Sequence, residues 1–276
     1  MSPDHLKLND GPTVERAAWE SRAVEAGDSS SGVLVRGFGT QLNHALHERH
    51  ARTVAEVFAP SLPPSPQVLD VGCGYGRLAE VLKVARPDSE VVGVDYSLTY
   101  CRFFRERLAS GSVCADLRRM PVARASLHGL MAVTVLMYLG PRERLVAVGD
   151  LVQLLMPGGV ALFVDPSAEY IDLARRLVSS SSPTGGRGLC LGEYERLAQG
   201  AGVSVVSVGG YPGFSVLLPL LFVMRRRSRP LGLLLGLAGR IDRRIQNGGR
   251  LSFHRWMLVR RPLDDAPWGA PPVGGR

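Results

Sequence analysis

Lysine is almost missing from this chain of 276 residues: only Lys7 and Lys83 stand among its 33 basic residues, so arginine carries the positive charge. The four cysteines, Cys73, Cys101, Cys114 and Cys190, include no C-x-x-C pair and no metal-ligand spacing. That argues against a disulfide framework or a zinc module and predicts a reduced, cytoplasmic protein with no metal site. The opening residues, MSPDHLKLNDGPTVERAAWE, lack the apolar core of a secretory signal. No run reaches the ~18 apolar residues of a spanning helix, and no internal repeat is visible.

The charge that is present is unevenly placed. Residues 225–261 hold eleven arginines against one acid, Asp242. That local excess outweighs the net +8 of the whole chain, so the remainder is slightly acidic. With 45% hydrophobic and 21% charged residues the composition is that of a globular protein.

From residue 67 onward strand and helix signals alternate. QVLDV, EVVGVD, SVCAD, LMAVTVL and VALFVD read as strands, and GRLAEVLKVA, SLTYCRFFRERLAS and PRERLVAVGDLVQLL as helices between them. Valine-rich runs separated by helices indicate an α/β fold, a parallel sheet covered on both faces. A helix at 190–201, a strand VSVVSV and a final strand FHRWMLV complete the series. The expected organisation is an N-terminal helical cover (1–58), a main domain (59–262) with a basic, apolar, lid-like insertion (209–250), and a disordered tail (263–276).

Chemistry concentrates in VLDVGCGYG. Gly72, Gly74 and Gly76 follow Asp70 as G-x-G-x-G, whereas a dinucleotide loop reads G-x-G-x-x-G; Arg77 occupies the third glycine's place. Two further acids close the next strands. Asp95 stands where a carboxylate can accept from two ribose hydroxyls. Asp116 can accept from an adenine amino group while the Leu117 N–H meets the ring. Strand-end acids of this kind converge on the crevice where open α/β sheets bind ligands.

As a set, these residues resemble a class I S-adenosylmethionine (SAM)-dependent methyltransferase. VLDVGCGYG is similar to the family's first motif, VVGVDYS to its ribose acid, ADLRRMPV to its adenine-contacting acid and LLMPGGVALFVDP to its fifth-strand entry. The resemblance spans roughly residues 60–208 and implies a Rossmann-like sheet of seven strands, order 3-2-1-4-5-7-6, with the seventh antiparallel. It also implies SAM as cofactor, with Tyr96 or Leu98 flanking the adenine. One departure is visible: His128-Gly129 replace the Phe-Asp that often opens the fourth strand.

Methyl transfer needs alignment more than a fixed catalytic group, so the acceptor is harder to read. Tyr138, just past the fourth strand, and His47, in a helix that could cover the cofactor, are the candidate catalytic residues. His44, His47 and His50 drift about 60° per step and cannot all serve one site; at least two are expected on a solvated face. No Asn/Asp-Pro-Pro-aromatic follows the fourth strand, which disfavours nucleic acid. The expectation is methylation at O, N or C of a small hydrophobic molecule, of natural-product, quinone or lipid type. The rivals are a SAM-binding partner subunit without activity and an RNA-modifying methyltransferase. In the insertion, Leu231, Leu234, Leu235, Ala238, Ile241 and Ile245 share one helical face opposite Arg240, Arg243 and Arg244. Asp242 falls on the apolar side and should pair with an arginine or look into the acceptor site. A peripheral contact of 214–245 with an anionic membrane is the further expectation. Nothing in the sequence sets the oligomeric state.

Overall fold

A computed structural model describes residues 16–171, 186–190, 192–245 and 252–263. The expected disordered tail, apart from Leu263, lies outside the described residues. The strands are β1 (Gln67–Val71), β2 (Glu90–Asp95), β3 (Ser112–Cys114), β4 (Leu127–Val133), β5 (Leu155–Pro166), β6 (Ser204–Gly210) and β7 (His254–Arg260). They form one sheet in the order β3-β2-β1-β4-β5-β7-β6. β1 to β5 are parallel; β7 runs antiparallel to β5 and β6, with Leu162 opposite Leu258. This is the Rossmann-like topology that the resemblance implied.

The described helices are α1 (Arg16–Ala26), α2 (Ser30–Val33), α3 (Gly39–Thr53), α4 (Arg77–Ala85), α5 (Leu98–Leu108), α6 (Pro141–Leu154), α7 (Glu193–Gly200), α8 (Pro212–Met224) and α9 (Ser228–Arg244). Local chemistry explains several starts. The Ser97 hydroxyl accepts from the Tyr100 N–H (3.2 Å) and caps α5. Pro141 opens α6, where the Glu143 carboxylate accepts from the Gly140 N–H at 2.9 Å. The alternating side chains of the central strands feed two cores. Leu69, Leu130 and Phe163 meet α6 and α7 on one face; Val68, Met131 and Leu162 meet α4 and Phe104 on the other.

Two strands end earlier than their sequence suggests, and both endings shape the cleft. β4 stops at Val133 because Thr134 takes a left-handed backbone (φ 61), a costly geometry for a β-branched residue. β3 stops at Cys114, which leaves Asp116 in the following loop.

Residues on both sides of position 58 pack into the same core. Val54, Phe58, Ala59 and Leu62 are buried in the core beneath the sheet. A Cβ on Gly129 would stand 3.0 Å from the Phe58 ring. The glycine in His128-Gly129 is therefore the space into which this segment packs.

The insertion is a helical hairpin, α8 and α9 joined by residues 225–227. Its inner face (Phe214, Leu218, Leu221, Leu231) packs on Leu34, Phe38, Leu42 and Leu46 of the N-terminal segment. Asp242 does pair with an arginine: it accepts from Arg49 Nε at 2.8 Å and from the Gly213 N–H at 2.7 Å. Both ionic partners are buried.

Candidate functional site

At the carboxyl ends of β1, β2 and β4 lies a cleft that merges with solvent on one side. Its position follows from topology. The chain leaves β1 toward β2 on one side and later returns as β4 on the other, and a crevice opens where the connections diverge. Gly72, Gly74, Asp95, Tyr96, Asp116, Leu117 and Tyr138 all line it.

The glycine loop lies close against its surroundings. Gly74 has φ +53, and a Cβ there would stand 2.9 Å from Val33, another residue of the cleft wall. Any side chain at 74 would both strain the backbone and fill the space in front of the loop. Gly76 differs from its two partners. It caps α4 at φ +86, and its missing Cβ makes room for Leu108 and Phe104 of α5, so it shapes the loop from behind.

The three acids have three environments. Asp70 is buried beneath the loop and does not line the cleft; burial pushes its carboxyl up to about 7. Asp95 faces the cleft while its oxygens accept from the Gly74 N–H (2.8 Å) and the Ser97 N–H (2.9 Å). It thereby ties the glycine loop to the start of α5 and keeps lone pairs for a ligand. Burial raises it to about 6. Asp116 is held by Arg118, which donates from its backbone N–H at 3.0 Å and from its guanidinium at 2.6–3.1 Å. That side-chain pairing keeps the Asp116 carboxyl below its ordinary range.

The other end of the cleft is aromatic. Trp19 of α1 meets Tyr138 edge-on, with ring centroids 5.0 Å apart. Val33, Tyr100 and Leu139 continue this wall. α1 is latched over the sheet by Glu20, whose carboxylate accepts from Ser97 Oγ (2.7 Å) and Thr99 Oγ1 (2.5 Å). Burial pushes the Tyr138 phenol up to about 12, so at neutral pH the hydroxyl keeps its proton.

His47 does not line the cleft. Its Nδ1 accepts from Arg77 Nη1 at 3.2 Å, and burial, then Arg77, lower it to about 4. Arg77 can only donate, so His50 Nδ1 must also accept from it (3.3 Å). His50 then carries its proton on Nε2 and donates to His254 Nδ1 at 3.0 Å. The expectation of two solvated histidines fails here: His44 is exposed, but His47 is half-buried and His50 fully buried in this relay.

Arg77, Arg118, Trp19 and Thr134 line the cleft without having been singled out. Arg77 had a signal, since it directly follows the glycine loop. The others depend on tertiary contacts or on a backbone angle.

Residues 68–159 match the family model described as a methyltransferase domain. A tRNA (carboxymethyluridine(34)-5-O)-methyltransferase of Mus musculus is 34% identical over 38% of this chain and 15% of its own length. The ribosomal RNA small subunit methyltransferase G of Frankia casuarinae is 32% identical over 56% of this chain and 62% of its own length. The chain thus spans less than two thirds of either relative. Among solved structures, magnesium protoporphyrin IX methyltransferase from Synechocystis, determined with bound SAM, has a TM-score of 0.58 at 14% identity, covering 89% of this chain and 94% of that one. The fold is that of class I SAM-dependent methyltransferases. Residues 68–159 are thus similar to a methyltransferase domain, and the solved structure that shares the fold was determined with SAM bound.

Proposed function

We propose that the protein transfers the methyl group of SAM to a small, largely apolar acceptor. The observation that carries this reading is the division of one cleft into a glycine-loop end with strand-end acids and an aromatic end closed by α1. At the first end Gly72 and Gly74 give close backbone approach to the methionine moiety. Asp95 accepts from the ribose hydroxyls, Tyr96 flanks the adenine, and Asp116 with the Leu117 N–H meets its edge. Asp70 acts from below, as a support of the loop. When bound, SAM supplies an activated methyl group; the chain aligns the nucleophile and excludes water.

At the second end the roles are modest. Tyr138 donates a hydrogen bond and presents its ring face, and His47 acts only through Arg77, as a positioning residue. Deprotonation by Tyr138 is disfavoured, which suits acceptors that arrive ionised or with a free lone pair.

RNA is the second reading, favoured by the two relatives whose names place their activity on tRNA and ribosomal RNA. The aromatic closure of the cleft supports the small acceptor instead, and none of the described residues of the basic hairpin lines the cleft. The test is transfer of labelled methyl groups from SAM to pooled small-molecule extracts and to total RNA, with Gly74→Val as the blank. Label in an extractable apolar product is expected. Label only in RNA would replace this reading by the second, and absence of SAM binding in calorimetry would remove both.

A further inference from the structure

The hairpin of α8 and α9 has an inner face that the fold uses and an outer face that it leaves open. Val216, Leu220 and Val223 form an outward stripe on α8, with Val223 67% exposed. On α9, Leu233 (79% exposed) and Leu237 continue into Arg240 and Arg244 at i, i+4, i+7 and i+11, one line along the helix. Arg226, Arg227, Arg229 and Arg243 are exposed as well. The one acid between residues 212 and 244 is Asp242, which is buried and spent on Arg49 and the start of α8.

We propose that this outer face docks on an anionic phospholipid surface, the aliphatic stripe entering the headgroup boundary and the arginines pairing with lipid phosphates. The inference concerns a surface away from the cleft and does not depend on the identity of the acceptor. Three observations carry it. Neither helix is long and apolar enough to cross a bilayer, so the contact lies in the membrane plane. Six exposed arginines, none paired with a carboxylate among the described residues, give the charge complement of an acidic surface. The exposed apolar residues between them are all aliphatic, whereas a nucleic-acid surface would offer aromatic rings for base stacking.

The docking has a consequence for the cleft. The hairpin's inner face shares a core with Val33, which also lines the cleft wall. A membrane-seated hairpin therefore brings the aromatic end close to the phase in which apolar molecules concentrate.

The test is flotation of the full chain with phosphatidylcholine vesicles, with and without phosphatidylglycerol, at low salt. Recovery with the phosphatidylglycerol vesicles alone, lost at about 0.5 M salt, is expected. Combining Arg226→Ser, Arg227→Ser and Arg229→Ser should weaken partitioning on the order of a hundredfold. Leu233→Ser with Leu237→Ser should weaken it about tenfold. Both variants change exposed side chains, and unchanged thermal melting confirms that the fold is kept. Equal recovery with both vesicle types, recovery with neither, or binding to single-stranded RNA without binding to vesicles would overturn the proposal. Turnover is not read, so each of these outcomes leaves the methyltransferase reading intact.

Discussion

The glycine-loop end of the cleft is walled by backbone and strand termini, whereas the aromatic end is walled by side chains brought in from distant segments. In the first, Asp95 and the Gly74 N–H are fixed by the pairing of β1 with β2 and by the turn into α4. In the second, Trp19 and Tyr138, 119 positions apart in sequence, meet where Glu20 latches α1 to the start of α5. One end is held by the sheet and the other by a few contacts between helices. The first should be rigid and costly to alter, the second adaptable.

The largest effect should come from Asp95→Ala. It removes a charged acceptor from the ligand and the tie between Gly74 and Ser97, and should weaken SAM binding by about 2–4 kcal/mol in calorimetry. An unchanged affinity would contradict the ribose assignment and the idea that this end is the rigid one. The same carboxyl sets a pH dependence. Asp95 is raised to about 6, and in the proposed assignment its ionised form accepts from the ribose, so affinity should be level above pH 7 and fall as pH drops through 6. Asp95→Asn should flatten that profile.

Trp19→Ala should act on the other end. Losing the edge contact and the half-buried indole should raise the acceptor KM about tenfold while SAM affinity shifts less than twofold. If SAM affinity falls as much as acceptor binding, the two ends are not separate. Tyr138→Phe should be milder, with kcat reduced less than tenfold, since a neutral phenol contributes a hydrogen bond and no proton abstraction. A loss of 10²–10⁴-fold would make Tyr138 the base after all.

A last effect, on stability and not on binding, lies under the aromatic end, at Asp165. Its Oδ1 accepts from the Met137 N–H (3.0 Å), and Oδ2 meets no hydrogen-bond partner among the described residues. Burial raises this carboxyl from 3.8 to about 8. Folding therefore favours the protonated form, and this contribution to stability is lost as pH rises toward 8. Asp165→Asn stays neutral, so its melting temperature relative to wild type should climb from pH 5 to pH 8. Each kcal/mol recovered is worth about 2–4 °C. A constant difference would mean that the carboxyl is ionised throughout.

The same contrast explains what could be read in advance. The sheet order and the placing of Gly74, Asp95 and Leu117 were legible because strand periodicity and a loop motif are local signals. The pairing of Asp116 with Arg118 was within reach of sequence, two residues apart, but only the early end of β3 puts Asp116 in a loop where its neighbour can fold back. Thr134's left-handed turn, the Trp19–Tyr138 contact and the His47–Arg77–His50 relay were hidden. Each depends on segments whose meeting no short-range pattern encodes. The hairpin sits between these cases: its apolar and basic faces could be drawn on a helical wheel, and Asp242 was expected to pair. Its partner, Arg49, lies 193 residues earlier in the chain.

That separation bears on how the molecule is made. At a synthesis rate of about 5–20 residues per second, Asp242 is added roughly 10–40 s after Arg49. Throughout that interval the guanidinium lacks its carboxylate, and Leu42, Leu46 and Phe38 lack the hairpin that covers them. The nascent chain can pair its early strands while this sticky helical surface waits. Synthesis thus sets an interval in which the emerging polypeptide is most exposed to misassociation and most in need of a chaperone.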